Sequence, residues 1–174
     1  MEDLNNIPTQ GFDEGSQPSI ADVRLAQEDD KDFLIKMSQY ASVIEDRPLP
    51  DPTSEETLGK LPTSEDIAIV ACGASGERLG AIWIYHHEPP LLTDENNMAL
   101  PEIIIAVTEE ARGNGVGSQL LDQLDVVAAT KYKALSLNVH VRNPARNLYL
   151  RKGFVDVGQG RGELGIAMKK DLAH

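Results

Sequence analysis

The sequence has one cysteine, Cys72, in 174 residues. That excludes an internal disulfide and any thiolate-built metal centre, and it suits a reducing compartment. Cys72 lies in an apolar run and reads as a small core residue. No stretch approaches the ~18 apolar residues of a membrane span. The N-terminus, Met1-Glu2-Asp3-Leu4-Asn5-Asn6-Ile7-Pro8, is acidic and lacks a positive start followed by an apolar core, so it does not read as a secretory signal. The expectation is a cytoplasmic protein with no membrane partner. Positive charge is scarce too. The net charge is −12, and residues 1–66 alone carry 16 acidic against 5 basic side chains. Such a surface repels nucleic acid, which is excluded as a partner, and it aids solubility. Residues 131–152 invert the balance, with six basic residues and no acidic one. A phosphate-bearing ligand would find its potential there.

What is present is ordinary for a soluble globular chain: 41% hydrophobic and 25% charged residues, long enough for one domain with a sizeable core. Residues 1–20 are polar and read as a flexible N-terminal tail, leaving 21–174 as the domain. Ala21 to Ala26 alternates and reads as a strand. Phe33, Leu34, Met37, Tyr40, Ala41 and Ile44 recur at helical spacing, so a helix runs from Asp29 to about Ile44. Ser54 or Thr53 caps a short helix. Ile67–Cys72 and Leu79–His86 form a hairpin around the turn at 73–78. Glu88 to Pro101 is a long polar connection and a candidate substrate lid.

The chain is organised around residues 107–118. Before them lies a β-branched run from Ile103 to Val107. After them Val116, Leu120, Leu121, Leu124, Val127 and Ala128 line one face of a helix. Between strand and helix stands Arg112-Gly113-Asn114-Gly115-Val116-Gly117-Ser118. Alternate glycines let the backbone approach a ligand, and the helix start offers unpaired amides and partial positive charge, which suits phosphate. A P-loop is excluded because no lysine follows the last glycine. A dinucleotide fold is disfavoured. Its third glycine would fall one position later, and the acidic ribose partner expected about 20 residues on is absent. An Arg-x-x-Gly-x-Gly turn, with the arginine beside the amides, suits a pyrophosphate. An ordinary tight connection without ligand is the alternative.

Downstream, Ala134 to Val141 alternates as a strand that receives a parallel crossover from 102–108. Asn143-Pro144 caps a short helix that ends at Lys152-Gly153. Phe154–Val157 and Leu164–Met168 are closing strands. Val107 through Gly117, Leu120-Leu121, Leu137-Asn138-Val139, Asn143-Pro144-Ala145, Leu148-Tyr149 and Gly153-Phe154, in that order and spacing, together resemble the GNAT superfamily of N-acetyltransferases. The likeness is detailed over residues 102–157. It implies an α/β fold with a mixed, mostly antiparallel central sheet, splayed between its fourth and fifth strands and flanked by helices. It implies acetyl-CoA as cosubstrate and no metal. The pantetheine arm would lie along Ile105, Ala106 and Val107. The amides of Gly113, Asn114, Gly115, Val116, Gly117 and Ser118 would hold the pyrophosphate with Arg112. Asn143 lies where the family contacts the cofactor and also suits a helix cap.

The implied reaction is direct attack of a primary amine, of a small molecule or peptide, on the thioester. Tyr149 occupies the family's tyrosine position and is the candidate general acid for the leaving thiolate; packing is its simpler role. Glu102 starts the fourth strand and is the candidate base. It lies five residues before Val107, so only a bulge would bring both to one face. His86, His87, Glu88, His140 or water are other candidates, and metal binding by His86 and His87 is rejected because neighbours on a strand point to opposite faces. A non-catalytic acyl-CoA sensor on the same fold, and a dinucleotide oxidoreductase, are the alternatives. The family often dimerises, so a homodimer stands beside a monomer as an expectation. Acetyl-CoA and CoA are expected to raise the melting temperature in a thermal-shift screen; stabilisation by NAD and not by CoA would overturn the acetyl-CoA reading.

Overall fold

The computed structural model describes residues 19–41 and 48–172. The expected tail at 1–20, save its last two residues, and the expected helix end near Ile44 lie outside the described residues. Among the described residues seven strands form one sheet in the order β1-β2-β3-β4-β5-β7-β6. They span Ile20–Leu25, Ala68–Gly73, Arg78–Tyr85, Glu102–Val107, Ala134–His140, Val155–Gln159 and Gly165–Asp171. Four α-helices, α1 to α4, span Lys31–Ala41, Glu55–Leu58, Val116–Ala128 and Ala145–Arg151. Every neighbouring pair of strands is antiparallel except β4 and β5, which are parallel. The resemblance implied this mixed sheet.

Helices cover both faces of the central strands. Those strands therefore read as near-continuous apolar runs, and not as apolar–polar alternation. Ile69, Ala71, Ile82, Ile84, Ile103, Leu135, Leu137 and Val139 point to the face covered by α3 and α4, joining Leu120, Leu124, Tyr149 and Phe154. Val70, Cys72, Ala81, Trp83, Tyr85 and Ile104 point to the other face, against Leu34 and Met37 of α1. Cys72 is a core residue, as its surroundings in the sequence suggest. At Gly80 α3 packs directly onto the sheet. A Cβ there would stand 3.1 Å from Val116 Cγ1 and 3.3 Å from Leu120 Cδ1.

The ends of these elements follow local chemistry. Ser54 Oγ accepts the Thr57 N–H at 3.2 Å and caps α2. Ser38 Oγ donates to the Thr57 carbonyl at 2.7 Å, tying α1 to α2. Trp83, fully buried, donates its indole N–H to the Lys60 carbonyl at 2.7 Å. β4 and β5 share a single register pair, Glu102 with Ser136. The Ser136 amide and hydroxyl both donate to the Pro101 carbonyl at 2.9 Å. Beyond that point the two strands part.

The entry to α1 is fixed by a buried carboxylate. Asp30 is 0% exposed. Its Oδ2 accepts from Arg24 Nη1 and the Gln27 amide, both at 2.7 Å, and its Oδ1 from Arg24 Nη2 at 3.0 Å and Arg78 Nε at 2.7 Å. All four lone-pair positions are used. The Arg24 hydrogen bond, helped by Arg78 and opposed by burial, holds the Asp30 carboxyl well below the usual carboxylate range. The native state thus binds this proton less readily than the unfolded chain. The stabilisation is complete above the unfolded value of about 3.9 and is lost as pH falls below it toward the native value. Asp30→Asn is expected to cost about 1.5–3 kcal/mol of stability at neutral pH, by giving the part-exposed Arg24 and Arg78 guanidinium groups a neutral acceptor in place of a charged one. Its deficit against wild type should narrow below about pH 4. Urea denaturation at neutral pH and near pH 3 measures both effects.

Candidate active site

The parting of β4 from β5 exposes a backbone edge inside the sheet. The β3–β4 register runs from Gly80–Val107 to Tyr85–Glu102 without a shift. The Thr108 amide donates to the Leu79 carbonyl at 2.9 Å. Antiparallel pairing alternates, so Glu102, Ile104 and Ala106 turn their peptide groups to β3, while Ile103, Ile105 and Val107 turn theirs to the β5 side. Ile105 and Val107 lie beyond the last β4–β5 pair, so their amides and carbonyls face the opening. The Ala106 backbone faces β3, and its side chain packs with the α1-face cluster. An extended amide-bearing chain can therefore pair with β4 at Ile105 and Val107 as an added strand would.

This edge leads into the glycine turn. After a 3-10 turn at Glu109–Ala111, Gly113 and Gly115 take φ of +79° and +80°. A side chain would be strained in that conformation. The Asn114 side-chain amide donates to the carbonyls of Ala111 and Arg112, each at 3.1 Å, and so clamps the turn from within. The first bond of α3 is from the Gln119 amide to the Gly115 carbonyl at 3.0 Å. The amides of Val116, Gly117 and Ser118 have no partner inside the helix, at its positive end. Gly117 has a packing reason as well: a Cβ there would lie 3.1 Å from Leu148 Cδ2 of α4. Arg112 is exposed and reaches back to the Val107 carbonyl, with Nε at 3.4 Å. Cradle, arginine and open β4 edge are thus contiguous.

The opposite side of the opening is β5 and α4. Asn143 Oδ1 accepts the Ala145 amide at 2.9 Å, an Asx turn that leads into α4, whose N-cap position is Pro144. Tyr149, 7% exposed, packs edge-on to Phe154, with ring centroids 6.2 Å apart. Its hydroxyl has no hydrogen-bond partner among the described residues. Burial pushes it up to about 12. It therefore stays protonated at neutral pH and is suited to give a proton, not to take one.

Glu102 lies on the other face. Without a bulge against β3, it shares its face with Ile104 and Ala106, opposite Val107 and Tyr149. It is 5% exposed and not alone. Arg161, in the turn between β6 and β7, donates Nη1 to Oε2 at 2.7 Å and Nη2 to Oε1 at 2.8 Å. The Tyr85 hydroxyl donates to Oε2 at 3.1 Å. No motif in the sequence singles out Arg161. Its one signal is that it stands between Gly160 and Gly162 in a glycine-rich turn. The histidines are dispersed. His86 Nδ1 lies 3.3 Å from Asp66 Oδ1 and its side chain is mostly exposed. His87 Nδ1 is 2.8 Å from the Pro89 carbonyl. His140 accepts the Arg142 amide at 3.1 Å. Glu88 is exposed. A cavity of about 430 Å³, walled in part by Leu61, Thr63, Asp66, Tyr85, His86 and Tyr132, opens at the end of the sheet away from the glycine turn. Among the described residues no three His, Cys, Asp or Glu side chains gather as a metal site would require, and no helix is long and apolar enough to cross a membrane.

Known proteins share this fold. A family model described as an acetyltransferase (GNAT) domain matches residues 65–156, just over half the chain. That span takes in β4, the glycine turn and Tyr149 and stops short of Arg161. A curated relative, the 5-NmdU N-acetyltransferase of Pseudomonas phage PaMx11, is 38% identical over 68 residues, covering 38% of this chain and 47% of the relative. The match thus spans about half the length of that protein. Among solved structures, a GNAT superfamily phosphinothricin acetyltransferase from Sinorhizobium meliloti in complex with AcCoA superposes with a TM-score of 0.64 at 18% identity, over 88% of this chain and 89% of that one. A ribosomal-protein-alanine N-acetyltransferase from Brucella melitensis gives a TM-score of 0.62 at 22% identity, over 87% and 100%. At these identities the structures share the fold alone.

Proposed function

The chain belongs to the GNAT family of acetyltransferases, and from that premise we propose that it moves the acetyl group of acetyl-CoA to a primary amine of a small molecule or peptide. The observation that carries this reading is the open β4 edge at Ile105 and Val107, running directly into the amide cradle of Gly113 to Ser118. Pantetheine contains two amide groups and is continuous with a pyrophosphate, so one ligand satisfies both features. In this reading the backbone of Ile105 and Val107 pairs with the pantetheine amides. The free amides of the turn and of the start of α3 take the pyrophosphate, and Arg112 adds fixed positive charge. Asn143 would stand on the facing wall, its Oδ1 taken by the Ala145 amide and its side-chain NH2 facing the ligand. Ala106 contributes spacing between its neighbours, since its own peptide groups serve β3.

The chemistry then follows from the two faces of the sheet. The acceptor enters as an ammonium ion and loses one proton to become nucleophilic. Its nitrogen attacks the thioester carbonyl carbon and forms the N–C bond. The adduct collapses with loss of a second proton from nitrogen and cleavage of the C–S bond. One proton in the balance ends on the CoA sulfur, and one goes to solvent. Tyr149 supplies the proton to sulfur and regains one of the two protons lost by nitrogen through water, as a phenol whose proton burial holds tightly. Glu102 works on the acceptor side, from the opposite face. The relatives are named for acceptors as different as 5-NmdU, phosphinothricin and ribosomal-protein alanine, so the fold does not dictate the acceptor here.

Release of CoA thiol in the presence of an amine panel is the direct test, since a non-catalytic acyl-CoA sensor would bind acetyl-CoA and release none. Tyr149→Phe is expected to lower turnover by roughly 10²–10⁴-fold, the range of a lost general acid, while acetyl-CoA affinity stays at the wild-type value by calorimetry. Turnover unchanged in this variant would remove Tyr149 as the acid.

A further inference from the structure

Among the described residues two buried carboxylates are gripped by arginine, and within those residues they differ in one respect. Asp30 has every lone pair filled. Glu102 does not. Its Oε2 accepts from Arg161 Nη1 and from the Tyr85 hydroxyl, and its Oε1 accepts only from Arg161 Nη2. A carboxylate has about four lone-pair positions, so one is left, on Oε1. Burial first, and then the Glu102 charge, push the Tyr85 hydroxyl well above the ordinary phenol range, so it remains a donor to Oε2.

The donor that does most to orient Glu102 comes from far along the chain and from the other half of the sheet. Asn138 Oδ1 on β5 accepts the Arg161 amide at 2.8 Å. Gly160 sits so close to β5 that a Cβ would stand 2.0 Å from that same oxygen. The turn is therefore seated on β5, and the Arg161 side chain crosses to β4, with Nη2 also 3.4 Å from the Pro89 carbonyl of the β3–β4 connection. It bridges the two strands on the α1 face, where they part.

We propose that Arg161 is the positioning residue of the acceptor side: by gripping Glu102 bidentately at the last point where β4 and β5 pair, it aims the single open lone pair of Oε1 at the incoming amine. This rests on the acetyl-transfer reading above. Glu102 then acts by receiving one N–H of the acceptor ammonium and orienting its nitrogen, and the proton passes on to water. A bidentate grip matters because it fixes the plane of the carboxylate as well as its place, which a lysine at one point of contact does not.

Arg161→Gln is expected to raise the acceptor KM by roughly ten- to hundredfold, as for a lost hydrogen bond to a charged group, with acetyl-CoA affinity unchanged. Arg161→Lys should fall between the two, and it carries the comparison if Arg161→Gln fails to bind acetyl-CoA. Because Arg161 acts through Glu102, the double variant Glu102→Gln/Arg161→Gln should be no worse in acceptor KM than Glu102→Gln alone. Wild-type turnover with an acceptor KM unmoved in both Arg161 variants overturns this proposal and leaves the acetyl-transfer reading standing. So does an Arg161 effect that adds in full to that of Glu102→Gln. Acetyl-CoA binding with no thiol release from any amine overturns both.

Discussion

A sheet cannot leave the peptide groups of an inner strand without partners, because each lost hydrogen bond in a desolvated place costs on the order of 1–3 kcal/mol. β4 is an inner strand, fourth of seven in the spatial order, yet it meets β5 in only one register pair. Everything at the site depends on how that exception is managed. Ile105 and Val107 are only half-buried, so their peptide groups are reachable by water or by a ligand that behaves like a strand. The glycine turn lies at the end of the same edge, and the helix behind it presents three more free amides. The fold concentrates unsatisfied backbone donors on one line, and the proposed cosubstrate is a molecule whose polar groups are strung on one line.

The parted strands also need holding together at the far end, or the opening would have no floor. Ser136 does this with two bonds to the Pro101 carbonyl. Arg161 does it again from the α1 face, through Glu102. One link is made of neutral hydrogen bonds within the ladder, the other of a charge pair carried by a turn. The second is the more adjustable, since a turn seated by Asn138 and Gly160 can be altered without touching the ladder. Asp30 shows what the same chemistry looks like as pure scaffold: four donors, no exposure and no free lone pair. Among the described residues the difference between the two carboxylates is a single open position, on which the proposed acceptor role of Glu102 rests.

Much of this was legible in the sequence because it is local. The apolar spacing of Val116, Leu120, Leu121 and Leu124 gives α3 within a few residues. Asn143 announces the start of α4, and the three glycines mark a turn whose conformations only glycine takes easily. What was not legible is what depends on distance or register. Whether Glu102 and Val107 share a face turned on a bulge, and the uninterrupted β3–β4 pairing answers it. Ala106 reads as part of a contact strand, but strand alternation gives its peptide groups to β3. Arg161 stands 59 residues from Glu102 among glycines and charged residues, where no periodic pattern exists and a lone arginine looks like any solvated one. Its partner is set by how β6 and β7 fold back on β5, which no local rule contains.

The lack of a bulge also bears on how the reaction would be arranged. Tyr149 belongs to the α4 face and Glu102 to the α1 face, and the open edge of β4 runs between them. A thioester lying along that edge would present one side of its carbonyl plane to each face. Attack by nitrogen and departure of sulfur take place at one carbon, but the two groups need opposite help: nitrogen must be oriented and relieved of protons, and sulfur must receive one. Placing an anion and a high-pKa phenol on the same face would let them hydrogen-bond to one another and cancel. The sheet keeps them apart by its own thickness and leaves the gap between β4 and β5 as the one place where both could act on the same bond. Parity along a six-residue strand, with no register shift, is then what sets Glu102 on the face opposite Tyr149.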